Sequence, residues 1–131
     1  MTILRSALYM PGINQKAMDK ALTLDCDAVI LDLEDAVSAL KKDDARQLVK
    51  RQIENNDYGA KEVVVRVTDL NTKWGESDVA AVANAHIQAI LVPKVSEIRD
   101  INRMVELLDA YGSELPVWIM VETPLAIINV N

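Results

Sequence analysis

The sequence predicts an α/β fold built on a parallel sheet, and three observations carry that prediction. Short runs of β-branched and aliphatic residues alternate with segments of helical periodicity. Two runs, "AVILDL" (Ala28 to Leu33) and "AILVPK" (Ala89 to Lys94), are nearly continuous in apolar residues, as in strands covered on both faces. The order is βαβαβαβαβ, which calls for parallel neighbours joined by right-handed crossovers. A doubly wound open sheet and part of a (β/α)8 barrel both fit, and periodicity does not choose between them.

Each element has its own signal. "SALYMPG" (Ser6 to Gly12) is a strand stopped by Pro11-Gly12. Asn14 caps a helix to about Leu24, with Ala17, Met18, Ala21 and Leu22 on one face. Ala28 to Leu33 is the second strand, and Asp43 to Asn55 is a helix with the stripe Ala45, Leu48, Val49, Ile53. "EVVVRV" (Glu62 to Val67) is the third strand, and Ser77 or Asp78 caps a short helix through Ala85. After Ala89 to Lys94, Ser96 caps a helix from Glu97 to about Tyr111, stopped by Gly112. Its inward residues are Ile98, Ile101, Met104, Val105 and Leu108, and "PVWIMVETP" (Pro116 to Pro124) is the fifth strand. No linker or low-complexity segment divides the chain, so residues 1–131 read as one unit.

The balance of residues narrows the function. The 131 residues are half hydrophobic, enough for one core but fewer than the roughly 200–250 of a complete barrel. The net charge of −6, with no basic block, argues against nucleic acid as a partner. The lone Cys26 forms no internal disulfide, and it precedes an apolar strand, where a packed thiol is expected. No run reaches membrane-span length and the start lacks a secretory pattern, so a cytoplasmic protein is expected. There is no glycine-rich phosphate loop, no Gly-x-Ser-x-Gly elbow and no metal-type His/Cys spacing.

Ligands of parallel α/β folds bind beyond the carboxyl ends of the strands. Those ends carry Asp32, Glu34 and Asp35, then Arg66, then Lys94, then Glu122. Carboxylates suit a hard divalent cation, and a guanidinium fork suits a carboxylate ligand. Arg66 lies inside an apolar run, where a buried cation needs an anionic partner. A plainer account stands beside each. Asp32 reads first as a strand end or cap, Glu34 and Asp35 as helix entry, and Glu122 as an ordinary turn residue. Arg66 has a purely structural pairing with Asp32 or Glu34 open to it, and Lys94 reads as a surface lysine. His86 reads as a loop residue.

As a set, "RSALYMPG", "ILDLEDAV" with "KKDDAR", "VVVRVTDLNTKWGESDVAAV", "ILVPKV" and "ETPLAI" resemble the citrate lyase β-subunit-like family, which includes citryl-CoA and malyl-CoA lyases. The resemblance spans nearly the whole chain. It implies the N-terminal part of an incomplete TIM barrel, with about five strands and four helices of a (β/α)8 fold. It implies Mg²⁺-dependent cleavage of a 3-hydroxyacyl-CoA to an acyl-CoA plus a 2-oxo acid. Arg66 then binds the oxo-acid carboxylate, Glu122 binds both metal and substrate, and Glu34 with Asp35 support them. The family's second metal aspartate follows the "ETP" strand and has no counterpart before Asn131, so weak or absent activity is expected of the chain alone.

Two other readings remain open at this level. One is a non-catalytic half-barrel used in assembly or binding, and the other is an acyl-CoA thioesterase variant of the same family. Homo-oligomers, and possibly other lyase subunits, are the expected protein partners, and exposed sheet edges favour such pairing.

Overall fold

The computed structural model describes residues 3–130. Five parallel strands lie in sequence order: β1 (Ala7–Pro11), β2 (Ala28–Asp32), β3 (Glu62–Arg66), β4 (Ala89–Val92) and β5 (Val117–Ile119). Between them run α1 (Gln15–Ala21), α2 (Lys42–Asn55), α3 (Gly75–Val82) and α4 (Ile98–Ala110), and a fifth helix, α5 (Pro124–Asn129), follows β5. A single turn of 3-10 helix (Ala39–Lys41) leads into α2. Sequential order in a parallel sheet, without reversal, is the arrangement of a barrel wall rather than of a doubly wound sheet.

Alternation along the strands divides the molecule. Val29, Leu31, Val63, Val65, Ile90 and Val92 point outward, where Met18, Val49, Val79, Met104 and Leu108 of the helices cover them in one buried cluster. Ile30, Val64, Ala89 and Leu91 point to the other face and form a smaller cluster with Trp118 and Met120. Cys26 is buried and free, a packed thiol as its position implied.

Most elements fall where the pattern placed them, including the Asn14 cap, whose side chain accepts from the Ala17 amide at 3.0 Å. Gly112 ends α4 with φ of +64°, a left-handed conformation that suits a residue without Cβ.

Five expectations are corrected. Helix α3 begins at Gly75, before Ser77 and Asp78. Asp78 is buried instead and accepts from the amide of Thr68, in the loop between β3 and α3, at 2.9 Å. Helix α4 is capped by Glu97 and not Ser96, because Glu97 and Asp100 cap each other reciprocally. Ile98 and Val105 are exposed rather than inward. The fifth strand is three residues long, since Thr123, which accepts from the Ala126 amide, and Pro124 at the first helical position start α5 there. The helices therefore number five among the described residues, not four.

Candidate functional site

The register of the sheet builds the site. Pro11, Asp32 and Arg66 stand side by side on β1, β2 and β3, at the carboxyl ends of their strands. Strand parity turns Tyr9, Asp32 and Arg66 to the same inner face, and Met120 reaches that face from just past β5.

Arg66 is the centre. Its Nε and Nη2 donate to the two Asp32 carboxylate oxygens at 2.7 Å each, a bidentate fork. Its remaining nitrogen, Nη1, lies 3.6 Å from Glu34 Oε2 and 3.7 Å from Met120 Sδ. The guanidinium carbon sits 4.9 Å from the centroid of the Tyr9 ring, within cation–π range. Arg66 is 9% exposed, Asp32 2% and Glu34 4%, so the pair is desolvated and both charges are matched.

Asp32 does more than pair with Arg66. Its oxygens also accept from the amides of Glu34 and Ala36 at 2.9 and 3.1 Å, turning the chain after β2. Burial pushes its carboxyl up, but the Arg66 fork and the two amides outweigh burial and hold it below the ordinary carboxylate range. The Asp32 bond likewise holds Arg66 above its ordinary value against the effect of burial.

Around this core, Lys94 Nζ meets Glu34 Oε1 at 2.8 Å and lies 4.0 Å from the exposed Asp35. That bond to Glu34 raises the Lys94 ammonium above its ordinary value. Lys94 has φ of +55°, a left-handed backbone rare for a residue with a side chain. In that conformation its amide donates to Glu122 Oε1 at 2.8 Å. The β4 and β5 ends are thereby joined at the rim. Beside Lys94, between the loops after β3 and β4 and helix α4, opens a cleft of about 460 Å³ lined by Asp69, Asn71, Arg99 and Arg103.

The structure thus brings Arg66, Glu34 and Glu122 into one chain of contacts through Asp32 and Lys94, with Asp35 at its outer edge. Asp32 and Lys94 carry more of the site than their plain readings allowed, and Tyr9 was not singled out at all. Parity would have found Tyr9, two residues before the Pro11 that pairs with Asp32. His86 lies in an exposed bend just before β4, at the amino ends of the strands and away from these carboxyl ends.

Whether the chain can hold Mg²⁺ is decided by its free oxygens. Asp32 spends both oxygens on Arg66, and Glu34 spends one on Lys94 and one on the Asp35 amide. Glu122 is exposed and bonds through Oε1, which leaves its other carboxylate oxygen open at the rim. Among the described residues no three His, Cys, Asp or Glu side chains gather to hold a metal. The fit is that of exposed rim carboxylates, Glu122 and farther out Asp35, with ligand and water oxygens completing the octahedron that Mg²⁺ requires.

A parallel sheet in sequential order, with helices between its strands, is the wall of a β/α barrel, and this chain is of that class. It belongs to the HpcH/HpaI aldolase/citrate lyase family, whose match covers residues 5–131. It is 42% identical over 125 residues to a (3S)-malyl-CoA thioesterase of Cereibacter sphaeroides, covering 95% of this chain and 42% of that protein. It is 40% identical over 91 residues to the citrate lyase subunit beta of Leuconostoc mesenteroides subsp. cremoris, covering 70% of this chain and 30% of that one. A crystal structure of CitE from Mycobacterium tuberculosis with magnesium, acetoacetate and coenzyme A superposes with a TM-score of 0.74 at 26% identity, over 93% of this chain and 41% of that one. The chain therefore spans less than half the length of these relatives. Magnesium accompanies acetoacetate and coenzyme A in that CitE structure, so Mg²⁺ is a ligand of a member of the family.

Proposed function

We propose that the chain is the N-terminal part of an incomplete (β/α)8 barrel in a Mg²⁺-dependent lyase. The enzyme cleaves a 3-hydroxyacyl-CoA such as citryl-CoA or malyl-CoA to an acyl-CoA plus a 2-oxo acid. The observation that carries this reading is the buried Arg66, fixed by Asp32 on one edge while Nη1, among the described residues, has Glu34 Oε2 no nearer than 3.6 Å and makes no hydrogen bond to oxygen. A cation held this firmly, with donors to spare, is preorganised for an anionic ligand.

In this reading Arg66 binds the substrate carboxylate and sets its orientation. Because the Nε–Nη2 edge belongs to Asp32, the ligand takes the Nη1 side, next to Tyr9 and Met120. Glu34 and Asp35 hold the position of Lys94, and the Lys94 amide aims Glu122. Glu122 is the metal ligand that this chain supplies, and it faces the substrate. When bound, Mg²⁺ supplies a Lewis acid that stabilises negative charge on the reacting oxygens. Tyr9, Trp118 and Met120 line the inner face with apolar surface that limits water around the developing charge.

A second reading, hydrolysis of the thioester, is favoured by the identities of 42–44% to malyl-CoA thioesterases, against 32–40% for the citrate lyase β subunits. The same groups serve it, since both reactions start from an anionic hydroxyacyl-CoA. Assembly with copies of the chain or with other lyase subunits belongs to the proposal too. It is supported by exposed Ile119 and Val121 beside exposed Leu125, Ile127 and Ile128.

Product analysis separates these readings. Malyl-CoA and citryl-CoA are incubated with Mg²⁺ and the chain, and with the longer product wherever the reading frame continues past Asn131. Acetyl-CoA plus a 2-oxo acid supports the lyase. Free CoA plus the intact hydroxy acid supports the thioesterase. No turnover of either thioester by a folded protein that sediments as an oligomer supports a non-catalytic assembly role.

A further inference from the structure

Lys42 is a buried cation outside the site just described. It opens α2 and is 5% exposed, yet no carboxylate lies within ion-pair distance of its ammonium among the described residues. Its three donors go to neutral oxygens instead: Leu33 O at 2.5 Å, Glu34 O at 2.9 Å and Thr68 Oγ1 at 3.0 Å. That exhausts the hydrogen-bonding capacity of an ammonium. Thr68 Oγ1 in turn donates to Leu33 O at 3.1 Å, and the Thr68 amide donates to Asp78 Oδ2 at 2.9 Å. Asp78 is fully buried and receives Arg46 at 3.3 Å.

The two carbonyls that Lys42 grips belong to the residues immediately after Asp32. The Leu33 amide donates to the Arg66 carbonyl at 2.9 Å, so this segment is clamped from β3 on one side and from Lys42 on the other. Two successive carbonyls turned toward one point repel each other, and a cation at that point removes the repulsion. An apolar residue would fill the same space without desolvating a charge, so packing alone does not account for a lysine here. Burial lowers the Lys42 ammonium, while Asp78, Glu34, Asp32 and Asp35 act the other way through space.

We infer that Lys42 is a positioning residue for the anion site: by clamping Leu33 O and Glu34 O against Thr68, it sets the direction in which Asp32 and Glu34 present their carboxylates to Arg66 and Lys94. The inference rests on the proposed reading of Arg66 as the group that binds the ligand carboxylate.

The test uses Lys42→Met, with Thr68→Val as a milder cut in the same clamp. Two quantities are read in each folded variant. One is hydrogen exchange of the Arg66 Nε–H by NMR, which the Asp32 fork protects. The other is Mg²⁺-dependent binding of oxaloacetate by calorimetry. Lys42→Met is expected to lose about tenfold in both, the scale seen when a supporting shell is removed, and Thr68→Val is expected to lose less in both. If Lys42→Met folds and the Arg66 Nε–H stays as protected as in the parent, the inference is overturned. If Lys42→Met fails to fold, Thr68→Val decides by the same criterion. If the parent itself binds no oxaloacetate, the proposed function falls, while the exchange measurement still decides the role of Lys42.

Discussion

The two faces of this sheet are made by the same five strands and have little else in common. On the outer face Leu31 and Val65 are fully buried under the helices, in a continuous apolar cluster. On the inner face the next residues along the same strands, Asp32 and Arg66, carry opposite charges at 2.7 Å, and Tyr9 beside them is nearly half exposed. One step along a strand separates a residue that holds the fold from one that offers chemistry. Most of the apolar packing therefore sits on one parity, while the other carries a smaller apolar cluster that ends in charged groups, and the two meet at the strand ends through groups such as Lys42.

The strongest way to break this division is to strand one member of the inner pair. Arg66→Met leaves Asp32 buried without its partner, which should cost about 3–5 kcal/mol in urea unfolding. The double variant Asp32→Leu/Arg66→Met should recover most of that stability, because no unpaired charge is left buried, and under the proposed function it should recover none of the 2-oxo-acid binding, because the guanidinium is gone. On the outer face Leu31→Ala should cost about 2–5 kcal/mol by opening a cavity, with oxaloacetate affinity unchanged in the protein that remains folded.

A smaller effect is expected where the two faces meet. A Cβ on Gly12 would stand 2.7 Å from Asp32 O and 2.8 Å from a Val49 methyl. Gly12→Ala should lower the urea midpoint by an amount equivalent to about 1–3 kcal/mol, through overpacking at the end of β1.

Acid titration sharpens the contrast by sign. Asp32 is held below the ordinary carboxylate value of about 3.9, so its stabilisation is present above that value and lost as pH falls through the depressed one. Asp78 is pushed up by burial, against its Thr68 and Arg46 contacts. Its contribution is present below the ordinary value and lost as pH rises through the raised one. Urea midpoints measured across the acid range should therefore fall less steeply toward low pH in Asp32→Asn than in the parent, and more steeply in Asp78→Asn.

The smallest effect belongs to the rim. Lys94 is half exposed, so Lys94→Met should change stability by no more than about 1 kcal/mol. If calorimetry then shows Mg²⁺-dependent oxaloacetate binding also unchanged, the contacts of the Lys94 ammonium with Glu34 and Asp35 play no part in the site.

How far the sequence reveals this depends on what each residue has to satisfy. Strands declare themselves because both faces of β2, β3 and β4 are covered, which leaves near-continuous apolar runs such as Val63 to Val65. Arg66 stands out because it interrupts such a run. Asp78 is not legible as a buried acid, because one that accepts from the Thr68 amide looks in sequence like a cap on its own helix. Lys42 lies in "KKDDAR", where a solvated helix start and a buried clamp have the same letters. Helix α5 was legible in principle, since Thr123 before Pro124 is a strong helix-start pair. The rim geometry was not, because the left-handed backbone at Lys94 exists only once β4 and β5 are side by side.

The central claim is that Arg66 and Glu122 receive one ligand, the first through its carboxylate and the second through Mg²⁺. Calorimetric titration of oxaloacetate, with and without Mg²⁺, into the parent, Arg66→Lys and Glu122→Gln tests it most directly. The account predicts binding in the parent that requires Mg²⁺, a loss of about a hundredfold in Arg66→Lys, and no Mg²⁺ dependence left in Glu122→Gln. Equal affinity in all three proteins, or binding indifferent to Mg²⁺ in the parent, would contradict it.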